Sequence, residues 1–344
     1  MATKKKMLQA AAGSAGGAGL DITEVFSTYL YDGTGSARSI VNEIDLAGEG
    51  GIVWLKSRSD ATPHTLHTTE IGALNYLVPN NTSGNNAGLA GYGLTAFNSN
   101  GFSLGTDYEG ENGSGKTYAS FTFRKAPKFF TCLTYTGNGV AGRTISHNLG
   151  SAPAVIIIKS LNFANNWLYH TNFGASSYDL LYLDLTNAAS SENYSTGAIQ
   201  SAPTDSTFTL KSSSSVNGNG NTYVAYLFAH NDGDGTFGPD GDADIIKCGS
   251  APASAATDIN LGFEPQWIMI KRTDSTGDWQ MFDTMRGLFA VSSPDDRRLK
   301  ANTSDAEAGS GSSDYLYPTP TGFHINTNFF GGGPYIYMAI RRGP

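Results

Sequence analysis

DLAGEGGIVWLK (45–56), NLGSAPAVIIIK (148–159) and NLGFEPQWIMIK (260–271) are versions of one segment, and their reading decides the fold. Each has a leucine ten residues before a lysine that closes an apolar run: Leu46/Lys56, Leu149/Lys159 and Leu261/Lys271. Downstream, KTYASFTFR, NTYVAYLFA and GPYIYMAIR align on Tyr118, Tyr223 and Tyr335. The lysines stand 103 and 112 residues apart and the tyrosines 105 and 112, so two independent anchors give one repeat.

Within these segments the period is two. One set in the closing strand reads Ala119-Phe121-Phe123, then Val224-Tyr226-Phe228, then Ile336-Met338-Ile340. The alternate set, such as Tyr118-Ser120-Thr122-Arg124, is more polar and predicts a half-buried antiparallel strand. The lysine-ended strand is apolar on both sides. Val53/Leu55, Ile156/Ile158 and Ile268/Ile270 suit the core of a unit. Ile52/Trp54, Val155/Ile157 and Trp267/Met269 need a second cover, supplied by a neighbouring repeat, another chain or a second layer of the same unit. Smaller matches complete the pattern: glycine turns YDGTGS (31–36) and YTGNGV (135–140) with a weaker CGSAPA (248–253), Trp167 and Trp279 with His64 in the tryptophan place, His67 beside His170 and Phe282, and Phe102, Phe208 and Phe323.

Composition agrees. Glycine fills 42 of 344 positions, only 15% of residues are charged, and Ser, Thr and Asn abound, which favours strands, tight turns and polar loops. The expected fold is all-β: three tandem, jelly-roll-like β-sandwiches at 25–130, 131–243 and 244–344, behind a flexible N-terminal arm at 1–24. A net charge of −8 argues against a nucleic-acid surface, which needs a basic patch. No apolar run approaches the ~20 residues of a membrane-spanning helix. Cys132 and Cys248 are too few for a disulfide framework and are expected as free thiols in a chain made in a reducing cytoplasm.

Two enzyme signatures lie within GFSLGTDYEGENGSGKTY (101–118). Gly101 to Gly105 fits G-x-S-x-G around Ser103, and Gly110 to Thr117 fits the phosphate loop with Lys116. Both chemistries need a following helix, whereas here alternating strands follow, so neither a hydrolase nor a nucleotide enzyme is expected. The acidic loop NDGDGTFGPDGDAD (231–244) places Asp232, Asp234, Asp240 and Asp242 among glycines, a set of hard oxygen ligands suited to calcium or, equally, ordinary turn chemistry. It lacks the glutamate that ends an EF-hand loop. Histidines at zinc spacing are absent.

FSTYLYDGTGS, IDLAGEGGIVWLK, LTAFNSNGFSLG, YASFTFRKAPKFF, TYTGNGVAGRTISHNLGS and YIYMAIRRGP together resemble a tandem-repeat domain of virion proteins of tailed bacteriophages, notably phages of marine cyanobacteria and similar hosts. The resemblance spans about Val25 to Pro344 and departs mainly where Cys248-Gly249-Ser250 replaces the Tyr-Thr-Gly turn. It implies a non-enzymatic part of the particle, a tail fibre or fibre adaptor. Its partners would be other virion proteins, reached through the arm with Lys4, Lys5 and Lys6, and host-surface glycan. A capsid decoration protein and a carbohydrate-binding module without catalysis are the alternatives. The uncovered strand faces and the arm further predict a homo-oligomer, with a trimer the usual solution for phage fibres.

Overall fold

The computed structural model describes residues 19–107, 110–173, 179–190, 197–252, 256–289, 296–309, 314–326, 329 and 332–343. Its first segment runs β1 (Phe26–Asp32), β2 (Arg38–Val41), β3 (Gly51–Ser57), β4 (Thr65–Thr68), β5 (Asn75–Tyr76), β6 (Asn86–Ala87), β7 (Leu94–Asn98), β8 (Gly101–Leu104) and β9 (Thr117–Arg124). The second runs β10 (Phe130–Thr136), β11 (Arg143–Ser146), β12 (Val155–Ser160), β13 (Leu168–Thr171), β14 (Asp179–Tyr182), β15 (Thr207–Leu210) and β16 (Thr222–Phe228). The third runs β17 (Ile246–Ala251), β18 (Thr257–Asn260), β19 (Pro265–Arg272), β20 (Gln280–Asp283), β21 (Leu299–Lys300), β22 (Leu316–Thr319), β23 (Gly322–Ile325) and β24 (Tyr335–Arg341). The fold is all-β and antiparallel, in sandwich-like layers.

One pairing order recurs along the chain. The large sheets read β1-β9-β3-β4, β10-β16-β12-β13-β14 and β17-β24-β19-β20-β21, so the closing strand always sits between the first strand and the lysine-ended one. The register repeats with it. Trp54 faces Phe121, Ile157 faces Tyr226, and Met269 faces Met338. Likewise Val53 faces His67, Ile156 faces His170, and Ile268 faces Phe282.

Each large sheet carries a small one on its outer face. In the first segment Val53 and Leu55 pack with Ile40, Phe102 and Leu104 of β2 and β8. In the third, Ile268 and Ile270 pack with Ile259 of β18 and Phe323 and Ile325 of β23. The second uses Ile145 of β11 and Phe208 of β15. This outer layer overturns the expectation of a half-exposed closing strand. Tyr118, Ser120 and Thr122 are all fully buried, because the small sheet covers the side that their polarity had assigned to water. Their polar groups are satisfied there: Thr122 Oγ1 accepts from Asn42 Nδ2 at 2.9 Å, and Tyr118 OH accepts from the Gly113 amide at 2.8 Å.

The opposite faces of the three large sheets meet in one continuous core. Ile52, Trp54, Phe121 and Phe123 join Val155, Ile157, Tyr226 and Phe228 and also Trp267, Met269, Met338 and Ile340. Phe123 is the hub, with its ring centroid 5.7 Å from those of Phe130 and Phe228 and 5.9 Å from Trp267. The second cover required by the lysine-ended strands is therefore the neighbouring segments of the same chain.

Two boundaries shift from expectation. Cys248 faces Met338, as Cys132 faces Tyr226, so the two buried thiols are equivalent, and Ala251 rather than Cys248 takes the place of Tyr31 and Tyr135. The glycine-turn alignment of CGSAPA is thus three residues out of step, because backbone pairing, not turn composition, sets register. The arm expected to reach residue 24 also ends earlier. Asp21 caps a 3-10 turn at Ile22–Glu24, and the Glu24 carboxylate accepts from the Asp21 amide at 3.0 Å. That capping box, legible as DITE, buries Ile22, and Leu20 bridges to Phe237.

Candidate functional site

What the repeated sequence builds most consistently is the seam between one segment and the next. Two residues past each strand-ending lysine a backbone carbonyl accepts from the preceding segment. The Asn85 amide donates to Leu161 at 2.7 Å and the Ala189 amide to Thr273 at 2.7 Å, and the ring closes with the Glu307 amide donating to Arg58 at 2.9 Å. Side chains follow the same rotation. Trp167 Nε1 donates to the Val78 carbonyl at 3.0 Å, and Trp279 Nε1 donates to Tyr182 at 2.9 Å. His64, in the tryptophan place, accepts from Trp54 Nε1 on Nδ1 at 2.9 Å, so its Nε2 carries the proton and donates to the Lys300 carbonyl at 3.0 Å. Segment one thus reaches three, two reaches one, and three reaches two.

The lysines that served as anchors in the sequence lie buried at these seams. Burial pulls the pKa of Lys56, Lys159 and Lys271 down to about 8 in each case. Backbone carbonyls receive their ammonium protons: Ser57 and Asp60 for Lys56, Thr82 and Asn165 for Lys159, and Arg272 for Lys271. Of these contacts, the one from Lys159 to Thr82 crosses between segments, whereas those of Lys56 and Lys271 stay within their own.

Between segments one and three the seam also holds buried charge. Arg58 donates from Nε and Nη2 to Glu307, both at 2.9 Å. The Arg286 guanidinium lies 3.5 Å from the same carboxylate, donates to Asp283 and, at 2.9 Å, to the Met281 carbonyl, and stands 5.5 Å from the centre of the Phe121 ring. Arg286 and Asp283 side chains are fully buried. Burial raises the Asp283 carboxyl above the usual range, and Arg286 beside it works in the opposite direction. No local motif announces this group, whose members come from distant parts of the chain.

The two enzyme-like signatures lie on and between strands of the first segment. Ser103 lies on β8, where its Oγ accepts from Asn98 Nδ2 at 2.9 Å and sits 3.2 Å from Ser39 Oγ. The GENGSGKT loop leads into β9, and its carbonyls are already used: Gly33 donates to Lys116 and Gly35 to Asn112. Asn112 ties this loop to its neighbours. Fully buried, it donates to the Ser36 and Gly105 carbonyls, as Asn217 of VNGNG donates to Val140 and Lys211. Lys116 Nζ lies on the surface, 3.8 Å from Asp60.

The acidic loop does not gather its carboxylates. Asp232 pairs with Lys247 at 3.2 Å and Asp234 with Lys128 at 3.5 Å, while Asp244 accepts from the Gly233 and Gly235 amides. Asp240 and Asp242 join neither contact, and among the described residues no group of three His, Cys, Asp or Glu could hold a metal ion. Lys4, Lys5 and Lys6 lie outside the described residues.

His64, His67 and His170 are interior groups, whereas His147, His230 and His324 are partly exposed. His67 Nε2 lies 2.8 Å from Glu111 Oε1 in a buried pair, and burial pushes His64 and His170 down to about 3. An imidazole held at about 3 when folded and near 6.5 when unfolded takes up its proton on unfolding, so stability is lost as pH falls from 6.5 towards 3. His170→Phe, the residue already used at Phe282, should remove this term. The stability difference between variant and parent should then move in the variant's favour by up to roughly 1.4 kcal/mol per pH unit below 6.5. Urea titrations between pH 7 and 4 that give parallel curves would refute it.

No curated protein matches the chain. Residues 21–344 match one family model, so the ring of seams lies inside a single family region. The chain belongs to the family described as Domain of unknown function (DUF7483).

Proposed function

We propose that the protein is a non-catalytic structural component of a phage virion, a tail fibre or fibre adaptor that attaches through its N-terminal segment and turns its loops towards the host surface. One observation supports the reading beyond the sequence resemblance: repeated positions, namely Lys159 and the tryptophan place held by His64, Trp167 and Trp279, join each segment to another. Segments clasped in a ring give a rigid body that transmits force and holds loops at a fixed distance. Association with further copies, as a trimer on a fibre axis, rests on the resemblance alone, because the apolar faces that suggested it are filled by the same chain.

The N-terminal attachment is tested by deleting residues 2–18, which spares Leu20 and the capped turn. The truncated chain should keep its melting temperature within about 2 °C, since it loses none of the described core, and should be missing from purified particles. Incorporation at the normal copy number would overturn the attachment role. Absence of the full-length chain from particles would overturn the virion reading itself.

A further inference from the structure

One side chain braces each residue that crosses a seam, and in one segment it is of a different kind. Asn80 Oδ1 accepts from the His64 amide at 2.9 Å, Asn302 Oδ1 from the Trp279 amide at 2.8 Å, and Asp184 Oδ1 from the Trp167 amide at 3.0 Å. In the second and third segments the neighbouring bond repeats as well. The Leu183 amide donates to the Trp167 carbonyl and the Ala301 amide to the Trp279 carbonyl, both at 3.0 Å. One structural place is thus filled twice by an amide and once by an acid.

The surroundings make that difference consequential. Asn302 also uses its second polar atom, with Nδ2 donating to Asp278 Oδ1 at 2.8 Å. Asp278 precedes Trp279, whereas Asn166 precedes Trp167, so acid and amide have changed places in the second segment. Asp184 is 7% exposed, and its Oδ2 has no hydrogen-bond partner among the described residues. Lys159, the charged group that acts on it, already donates to the Thr82 and Asn165 carbonyls. A buried carboxylate oxygen without a donor is unfavourable, and protonation both removes the charge and supplies a hydrogen to donate. Burial, opposed by the Trp167 amide and by Lys159, pushes this carboxyl up to about 6.

The braced residue is the one that reaches the first segment. Trp167 Nε1 donates to the Val78 carbonyl at 3.0 Å and to that of Asn81 at 3.2 Å. The Lys159 ammonium stands 5.7 Å from the centre of the same ring. The charge state of Asp184 therefore bears on the backbone that aims the indole.

We propose that Asp184 is a proton-operated latch on the seam between segments one and two, closed when its carboxyl is neutral and loosened when it is ionised. A carboxyl raised in the folded state contributes stability that is fully present below the unfolded value of about 3.9 and lost as pH rises through the folded value. Asn80 and Asn302 do not titrate, so at this place acidification tightens one seam of three. The latch is independent of the virion reading.

Asp184→Asn, which installs the residue found at Asn80 and Asn302, tests it in the full chain. In urea titrations the ratio of variant to parent folding constants should rise at least about tenfold from pH 4.5 to pH 8. The added protection of the Trp167 indole N–H, read by NMR hydrogen exchange against the parent, should be at least about threefold greater at pH 8 than at pH 4.5. A folding ratio independent of pH, or Trp167 protection that does not change between the two pH values, would overturn the latch. If the variant does not fold, the carbon-13 signal of the Asp184 carboxyl in the parent decides. A titration midpoint above about 5 supports the latch, and one at or below it refutes it.

Discussion

Phe123→Ala should lower the unfolding free energy by about 3–5 kcal/mol, the range for removing a buried aromatic ring and leaving a cavity. Phe123 is 1% exposed and touches rings from all three segments: Phe26 at 4.8 Å, Phe130 and Phe228 at 5.7 Å, and Trp267 at 5.9 Å. The surrounding side chains belong to three different sheets, so collapse into the void would need the sheets to move together. Against a total of roughly 5–15 kcal/mol for a folded domain, that loss is large. The shared core also makes a second expectation: the parent should unfold in one transition. Trp54, Trp167, Trp267 and Trp279 sample every segment, so fluorescence and circular dichroism should follow the same urea curve. A cost under about 1 kcal/mol, or separated transitions in the parent, would mean that the segments are independent after all.

Arg286→Met should be comparably damaging, at about 3–5 kcal/mol, because it leaves the fully buried Asp283 carboxylate without its cation. The Met281 carbonyl loses its donor at the same time. Asp283 already has a raised pKa when folded, and without Arg286 it should rise further. A carboxyl raised in the folded state contributes stability at low pH that is lost as pH rises through its folded pKa, so the variant should be weakest at neutral pH and recover on acidification. Adding Asp283→Leu should restore most of the loss by replacing the orphaned charge with an apolar group. Denaturant titration of the two single variants and the double variant completes the cycle. Additive losses, with no recovery in the double variant, would show that the ion pair is not what holds this part of the seam.

The repeat made much of the architecture legible in advance. Leu46, Leu149 and Leu261, the strand-ending lysines and the Phe121, Tyr226 and Met338 set could be aligned because strand side chains alternate, and a two-residue period admits few registers. The backbone pairing puts each of those last three opposite an equivalent residue of the lysine-ended strand: Trp54, Ile157 and Met269. The turns were less legible. Glycine composition placed Cys248 beside Tyr31, whereas pairing puts it beside Cys132, since many residues make a turn but only one register fills a core.

Periodicity identifies which faces are apolar, but not what covers them. Ile52 with Trp54 and Trp267 with Met269 had to be buried, yet whether by another chain or by their own depended on how three sheets orient in space. The same holds for polar groups. Asp283 and Arg286 pair locally, but nothing in the sequence near Arg58 shows its partner, because Glu307 reaches it across 249 residues. Alternation along a strand is a local steric property written residue by residue, whereas pairing across a seam is decided only when the chain has closed on itself.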